Sequence, residues 1–325
     1  MNIAIIGAGY VGRKRAQSLP KGVNLTTVCD IDEQKGEVFA HQFNCGFEKD
    51  WHKVVKDKDI NAIFVCVTNN NLSKIAISAI ENGKHVLIEK PGGVNFRQIS
   101  DTYKAYKRNS VVVMYGYNHK FHPAIQKAKQ IVDSQNWGPL LFIRARYGHG
   151  GRLNYEKEWR FQKKVSGGGE LIDQGCHLID LVNFFCGQMS QITGFVTNLF
   201  WETNLEDAAF FQLRNKKNQI ADLSVTCVEW KNIFSFEIML QKGKIQIDGL
   251  GRSYGKERLV LYSMRPEMGP PDVSEFSFGE EDNSWKVENN LFFKRIKQKD
   301  YSDSSIKDAL YVMSVIKKLY HKNFV

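Results

Sequence analysis

The segment NIAIIGAGYVG, residues 2–12, places an apolar run directly before a Gly-x-Gly-x-x-Gly turn. The run Ile3–Ile6 is typical of a strand that is covered on both faces of a parallel sheet. The three glycines permit a tight turn, a close approach of the backbone to a pyrophosphate, and close packing of the next helix on the strand. The free N–H groups at the N-terminus of that helix favour phosphate oxygens. The dinucleotide contacts predicted here are Gly7, Gly9, Tyr10, Val11 and Gly12.

An acidic residue at the end of the second predicted strand supports this site. Asp30 follows the strand Asn24–Cys29, about 20 residues after the glycine turn. A carboxylate there accepts hydrogen bonds from the adenosine ribose hydroxyls and repels a 2′-phosphate, which favours NAD over NADP. Lys14 and Arg15 lie nearby and keep NADP open as the second possibility. The alternative interpretation is a plain glycine turn in which Asp30 caps the next helix.

The order of predicted elements separates two domains. Strands and helices alternate through residues 1–118, which predicts a Rossmann doubly wound parallel sheet with helices on both faces. In residues 119–325 a helical stretch at 170–185 precedes consecutive strands joined by short polar turns, which predicts a mostly antiparallel sheet. Residues 249–290 are expected to form loops, and 304–320 a helix that packs on the main body. The predicted fold class is therefore α/β, with an α+β second domain.

Length and composition are those of a globular protein. A chain of 325 residues with 42% hydrophobic and 25% charged residues fits about two domains. No apolar run approaches the roughly 20 residues of a membrane span, and the opening segment predicts a buried strand instead of a signal peptide. The six cysteines never reach Cys-x-x-Cys spacing, which predicts free thiols in a reducing compartment and no metal site. We expect the cytoplasm.

The net charge of +10 raises the question of a nucleic-acid partner. Basic residues are interleaved with acids along the chain, and no arginine-rich arm, zinc-finger spacing or RNA-binding aromatic signature is present. A basic surface that attracts a phosphorylated small molecule is at least as consistent with this charge. We expect neither a nucleic acid nor a membrane as partner.

The tripeptide Glu89-Lys90-Pro91 ends the fourth predicted parallel strand. Ligands of open α/β sheets bind at the carboxyl ends of the strands. A lysine there can hold a substrate hydroxyl and stabilise charge on its oxygen while hydride leaves the attached carbon. A surface lysine before a turn proline is the alternative, and the tripeptide alone does not decide between them.

A second candidate block runs from Gly167 to Asp180. On a helix Asp173, His177 and Asp180 share one face. Hydride removal from a secondary alcohol needs a base for the hydroxyl proton, and histidine titrates near neutrality. Asp173 is placed to orient His177 or to bind a neighbouring hydroxyl. The glycine run 167–169 would let the backbone approach a ligand closely. Alternatively, His177 is an interior histidine and Asp173 a partner of the helix dipole.

Together these motifs resemble the glucose–fructose oxidoreductase and inositol dehydrogenase family of sugar and polyol dehydrogenases. The motifs run in family order over about half the chain: Gly7–Gly12, Asp30, Val67-Thr68, Glu89-Lys90-Pro91, Gly116-Tyr117-Asn118 and Gly167–Asp180. The resemblance implies that Lys90, Asp173 and His177 are the catalytic residues, with the histidine as acid/base, and that the second domain carries a large open-faced sheet. We add Thr68, Asn70, Glu89 and Lys90 to the cofactor contacts, and Asn118 to the substrate contacts.

Three positions depart from the family pattern. Asn69 stands where proline is usual, Ser73 where histidine is frequent, and Lys120 where arginine is common. These departures concern local contacts to the cofactor and the substrate, not the chemistry.

The segment 144–164 is unusually basic and aromatic, and Arg146 and Arg160 belong to it. Arginines bind phosphates bidentately, and aromatic rings stack on bases or sugar faces. We therefore predict a nucleotide-linked sugar substrate, as in the synthesis of surface glycans, which the resemblance permits. A solvated basic loop or a subunit contact explains the segment equally well.

The leading prediction is an NAD-dependent sugar or polyol dehydrogenase. A non-catalytic NAD-binding sensor and a glycosidase that recycles its bound NAD are the alternatives. We expect a homodimer or homotetramer, because apolar residues such as Phe210, Phe234 and Phe236 are predicted on the open-faced sheet.

Overall fold

The computed structural model describes residues 1–279 and 281–323, and the chain divides into two compact units. The first unit comprises Met1–Asn118 and Trp285–Met313; the second comprises His119–Ser284 and the chain from Ser314 onward. The sequence placed a boundary after residue 118 but assigned everything beyond it to the second domain. Residues 285–313 return to the first unit because Phe292 and Phe293 pack on Phe64, with ring centroids 5.5 and 5.8 Å away.

The helices and strands have the following bounds within the described residues. The strands are β1 Asn2–Ile6, β2 Asn24–Cys29, β3 Gly46–Glu48, β4 Ala62–Val65, β5 His85–Glu89, β6 Val113–Gly116, β7 Leu140–Gly148, β8 Gln191–Thr197, β9 Ala208–Arg214, β10 Ile220–Thr226, β11 Ile233–Leu240, β12 Gly243–Asp248, β13 Arg258–Ser263 and β14 Asp272–Ser277. The α-helices are α1 Tyr10–Gln17, α2 Glu33–Phe43, α3 Trp51–Lys56, α4 Asn69–Glu81, α5 Phe96–Lys107, α6 Pro123–Asp133, α7 Lys163–Ser166, α8 Cys176–Cys186, α9 Ser284–Gln298 and α10 Ser304–Asn323.

The first unit contains a parallel sheet in the order β3-β2-β1-β4-β5-β6. The predicted Rossmann architecture is confirmed, and β1 lies between β2 and β4, where the winding of the sheet reverses. The sequence missed β3 and α3. Strand β3 is a three-residue edge strand without a fully buried residue, so it lacks the apolar run that marked its neighbours.

The second unit contains a sheet in the order β14-β13-β12-β11-β7-β10-β9-β8, in which β7 and β10 are parallel and the other neighbours antiparallel. Side chains alternate between a covered and an open face. Phe234 and Phe236 are 2% and 0% exposed, so their predicted place on the open face is wrong. Their register directs them to the face that α8 covers, where Phe185 packs on Phe236. Phe210, 46% exposed, does lie on the open face.

The stretch 249–290 is not the loop region that its composition predicts. It contributes β13 and β14 to the sheet and contains the start of α9. Most residues of the edge strand β14 are exposed, so its sequence lacks the apolar alternation from which a strand is predicted. The predicted helix 304–320 is confirmed as α10, which buries Ile306, Val312 and Leu319. No helix in the described ranges combines the length and apolarity needed to cross a bilayer.

A buried ion cluster connects three elements of the first unit, α1, β5 and α9. Arg15, fully buried on α1, donates to Glu89 (Nε–Oε1 2.6 Å), Glu288 (2.6 Å) and Asn289 (2.9 Å). Gly116 leaves room for it, since a Cβ there would lie 2.5 Å from the Arg15 guanidinium and 3.0 Å from the Glu89 carboxylate. Although burial opposes the charge, the two carboxylates raise the pKa of Arg15 above its ordinary value.

Replacing Arg15 tests this cluster. Arg15→Met leaves two buried carboxylates without their counter-charge, so we expect a loss of about 3–5 kcal/mol in the free energy of unfolding. The control is Arg97→Met on α5, whose side chain is 90% exposed and which should leave the unfolding midpoint unchanged. Urea denaturation followed by tryptophan fluorescence measures both. Equal midpoints for the two variants would show that the buried charges are not needed for stability.

Candidate active site

The glycine turn and Asp30 form one hydrogen-bonded unit at the carboxyl ends of β1 and β2. The Gly7 N–H donates to the Cys29 carbonyl at 2.7 Å, and the Ala8 N–H donates to Asp30 Oδ2 at 2.7 Å. The Asp32 N–H donates to the other Asp30 oxygen at 2.9 Å. The carboxylate predicted to bind the ribose hydroxyls is therefore fixed beside the turn.

The three glycines of the turn differ in the space that the structure leaves for a side chain. Gly7 has a φ of +111°, and a Cβ there would collide with the Cys66 carbonyl. A Cβ on Gly12 would collide with the Gly7 carbonyl. At Gly9 no protein atom lies within 4 Å of a Cβ position. Packing therefore does not require Gly9, and the open space at the N-terminus of α1 fits the close approach of a pyrophosphate.

Other predicted cofactor contacts lie around this turn. Tyr10 is 68% exposed, whereas the Val11 side chain packs against the hydrophobic core. Thr68 precedes α4 at the carboxyl end of β4, the other neighbour of β1, and its hydroxyl donates to Asn70 Oδ1 at 2.8 Å. The structure thus brings Thr68 and Asn70 to the same sheet edge as the glycine turn.

Several charged residues near the turn have structural partners instead. Glu89 is 5% exposed and bound to Arg15, so we withdraw it from the cofactor contacts. Burial also prevents Arg15 from reaching a 2′-phosphate, which removes one reason for considering NADP.

Lys90 follows β5 as a half-buried turn residue with a cis peptide bond to Pro91. Ser73, one of the departures, bridges α4 and α5 by its hydroxyl contacts with Gln98 and Thr102.

In the second unit the predicted continuous helix 170–185 is interrupted. Leu171–Gly175 forms a π-helical turn, and α8 begins at Cys176. Asp173 lies in the π-helical turn, and His177, 3% exposed, in the first turn of α8. Such turns occur frequently at functional sites, because the extra residue redirects side chains.

Asp173 forms an ion pair with a predicted substrate-binding residue. Arg160 Nε lies 3.1 Å from Asp173 Oδ2, and its Nη1 lies 3.0 Å from Glu158 Oε2. Burial opposes the guanidinium charge, but the two carboxylates raise the pKa of Arg160 above its usual value. The structure thus brings Arg160 and Asp173 together, and two carboxylates contact the Arg160 guanidinium.

Two glycines before the π-helical turn, Gly168 and Gly169, pack closely against protein. A Cβ on Gly168 would collide with Tyr320, and one on Gly169 with the Glu206 carbonyl. The Glu206 carboxylate accepts from the N–H groups of Gly169 (2.9 Å) and Leu171 (3.2 Å) and from the Tyr320 hydroxyl (2.6 Å). Burial raises the pKa of Glu206, although these donors oppose the shift. Packing against Tyr320 and Glu206 is therefore sufficient to require Gly168 and Gly169, and ligand contact by the run stays a prediction.

Two residues missed by sequence reasoning lie against α8. The His119 ring stacks on the His177 ring, with centroids 3.7 Å apart and planes 21° apart. Lys120 Nζ lies 3.0 Å from Oδ1 of Asp180, which is 1% exposed. Asp180, predicted on the same face as His177, thus has a structural partner. The sequence marked this segment only as a departure at Lys120, since no local pattern predicts what it packs on.

Arg146 lies away from these residues. Along β7 the exposed Arg144 and Arg146 alternate with the buried Ala145 and Tyr147. The Tyr147 ring is 6.3 Å from the His177 ring, so Arg146 points to the opposite face of the sheet. We withdraw Arg146 from the substrate contacts. Asn118, 4% exposed, stays a prediction.

Comparison with known proteins shows the relationship of both units. Residues 1–117 match the family described as "Oxidoreductase family, NAD-binding Rossmann fold", and residues 125–246 match the "GFO/IDH/MocA C-terminal domain". The chain belongs to the GFO/IDH/MocA family. This membership confirms the suspected family, the oxidoreductase class and NAD as the cofactor of the first unit.

Individual relatives of this family member are distant. Levoglucosan dehydrogenase of Pseudarthrobacter phenanthrenivorans is 27% identical over 224 residues, which are 63% of this chain and 56% of the relative. The 2,7-anhydro-N-acetylneuraminate hydratase of Escherichia coli is 25% identical over 258 residues, 76% of this chain and 68% of the relative. A solved levoglucosan dehydrogenase complex with NADH and levoglucosan superposes with a TM-score of 0.90 at 20% identity, over 99% of this chain and 97% of that one. This last likeness supports the fold.

The glycine turn offers a matched pair of variants. Gly9→Ala adds a methyl group in open space, so we expect an unchanged melting temperature and at least a tenfold loss of NADH affinity, about 1.4 kcal/mol. Gly12→Ala, which must displace the Gly7 carbonyl, should lower both the melting temperature and the affinity. Fluorescence titration with NADH and thermal unfolding measure the two effects. Wild-type affinity in Gly9→Ala would mean that the pyrophosphate does not approach this residue.

Proposed function

We propose that the protein is an NAD-dependent oxidoreductase that transfers hydride between nicotinamide and a ring hydroxyl or ketone of a sugar. The observation that carries this proposal is the buried His177, with the Asp173–Arg160 ion pair one turn earlier, in a chain that also has an NAD-binding fold. The name of the levoglucosan dehydrogenase relative supports a sugar ring as substrate.

The proposed chemistry needs one base and one group that stabilises negative charge. In the oxidative direction, His177 accepts the hydroxyl proton at a ring nitrogen while hydride leaves the attached carbon, which becomes a ketone. The ammonium of Lys90 donates to the reacting oxygen and stabilises its charge. Asp173, held by Arg160, accepts a hydrogen bond from a neighbouring hydroxyl and orients the ring. Bound NAD supplies the hydride acceptor, with Asp30 and the glycine turn holding it.

Replacing the proposed catalytic residues tests these roles. His177→Ala and Lys90→Ala should each lower kcat/KM by about 10²–10⁴-fold, because each removes a group that acts on the reacting atoms. The control is His41→Ala, an exposed histidine of α2, with unchanged turnover. The NADH dissociation constant should stay within about twofold in His177→Ala and His41→Ala, whereas Lys90→Ala should also weaken NADH binding, because Lys90 is a predicted cofactor contact. Activity that survives in both catalytic variants would contradict the assignment, and failure of the wild type to turn over any sugar would favour the NAD-binding sensor.

The substrate class can be narrowed. The sequence predicted a nucleotide-linked sugar from the basic segment 144–164, but Arg152 and Arg160 are paired with Glu158 and Asp173. Because these pairings take up the arginines that would bind a diphosphate, we propose an unphosphorylated sugar ring. The nucleotide sugar for surface-glycan synthesis becomes the competing outcome.

Calorimetric titration distinguishes these substrates. We expect free sugars and anhydrosugars to bind at least as tightly as UDP- or GDP-linked sugars in the presence of NADH. Tenfold tighter binding of a nucleotide sugar, about 1.4 kcal/mol, would restore the earlier prediction.

A second candidate function is a net hydration or cleavage in which NAD is reduced and reoxidised within one turnover. The similarity to 2,7-anhydro-N-acetylneuraminate hydratase favours this candidate, which is related to the alternative of an NAD-recycling glycosidase. A dehydrogenase changes NADH absorbance in proportion to product, whereas a recycling enzyme forms product without a net change.

Two further parts of the proposal concern the cellular compartment and the oligomeric state of the enzyme. The cytoplasm is supported by the six cysteines, all of which are free thiols. A homodimer or homotetramer is supported by the exposed Phe195 and Phe210, which are opposite each other on β8 and β9.

A further inference from the structure

The stacked pair of His119 and His177 is the closest ring contact of the proposed base. Its centroid distance of 3.7 Å and angle of 21° describe face-to-face stacking over most of the imidazole area. Both residues are buried, His119 with 8% and His177 with 3% of its surface exposed. Rotation of the His177 ring about its Cβ–Cγ bond would therefore drive its edge into His119.

The orientation of His119 is itself fixed. Its Nε2 lies 3.1 Å from the hydroxyl of Tyr147, which is 5% exposed on β7. The Tyr147 ring packs edge-on against Phe234, with centroids 5.5 Å apart, and in a tilted arrangement against Tyr254, with centroids 5.3 Å apart. Tyr147 is thus held by the sheet and in turn holds His119.

The segment that carries His119 is attached to α8 at a second point. It forms a short 3-10 turn, Asn118–Phe121, and its Lys120 binds Asp180, three residues after His177. The side chain of Gln126 donates to the Lys120 carbonyl at 2.6 Å. These contacts prevent the turn from sliding along the helix, so the His119 ring stays over His177.

We propose that His119 is a positioning residue that holds the His177 imidazole in one orientation, and that Tyr147 acts through His119. The inference rests on the proposed function, in which His177 is the acid/base. A base held in one orientation before substrate binds needs no further ordering in the transition state, whereas small misplacements cost large factors in rate.

Kinetics of four variants test the chain of contacts. His119→Ala should lower kcat about 10- to 100-fold with KM within about twofold, because orientation is lost and the substrate contacts remain. His119→Phe keeps an aromatic ring over His177 and should recover most of the rate. Tyr147→Phe should lower kcat less than His119→Ala, and the double variant His119→Ala/Tyr147→Phe no further than His119→Ala alone. Tyr262→Phe, a half-buried tyrosine of β13, is the control. Additive losses in the double variant would overturn the indirect role of Tyr147.

A measurement without turnover separates this inference from the proposed function. In protein with ¹³C-labelled histidine, the ring signal of His177 should be single and displaced by the His119 ring current. His119→Ala should remove the displacement and broaden the signal, and His119→Phe should keep it narrow. An unchanged His177 signal in His119→Ala would overturn the inference even in an active enzyme. The expected pattern in a protein that oxidises no sugar would support positioning and reject the dehydrogenase.

Discussion

The burial of the Arg15 charge is the constraint on which the first unit depends. The guanidinium on α1 has no solvent contact and requires its carboxylate partners in place, and these come from the end of β5 and from α9. The same cluster therefore fixes the helix that begins at the glycine turn, the strand that ends at Glu89 directly before Lys90, and the return of a late segment of the chain to the first unit. Gly116, at the end of β6, supplies the room.

Local signals made much of the first unit predictable. The apolar run, the glycine turn and Asp30 are close in sequence, and their hydrogen bonds in the structure join the same residues. Glu89 was predicted as a cofactor contact because its position at a strand end is typical of a ligand contact, but in the structure its carboxylate binds Arg15. Its partner Arg15 lies 74 residues away, and no sequence pattern links the two. Strands β3 and β14 were missed because edge strands need no buried residue on either face.

In the second unit, too, contacts between residues far apart in sequence could not be predicted at the candidate site. Spacing placed Asp173 and His177 together, but the π-helical turn Leu171–Gly175, which contains Asp173, interrupts the regular helix that the spacing predicts. The glycine run 167–169 suggested an approaching ligand, and no local pattern indicated that Gly169 also packs against Glu206, 37 residues later. Phe234 and Phe236 were placed on the wrong face, since alternation gives two faces and only the position of α8 decides which one is covered.

The π-helical turn has a consequence for how this chain compares with others. It is equivalent to one residue inserted into an α-helix, and one residue corresponds to a rotation of about 100° around the helix axis. A chain that lacked this residue could keep the position of the N–H groups that bind Glu206, or the direction of the His177 side chain, but not both. A single-residue gap between Gly169 and His177 in an alignment would therefore mark a different geometry at the proposed base, even where both flanking motifs are identical.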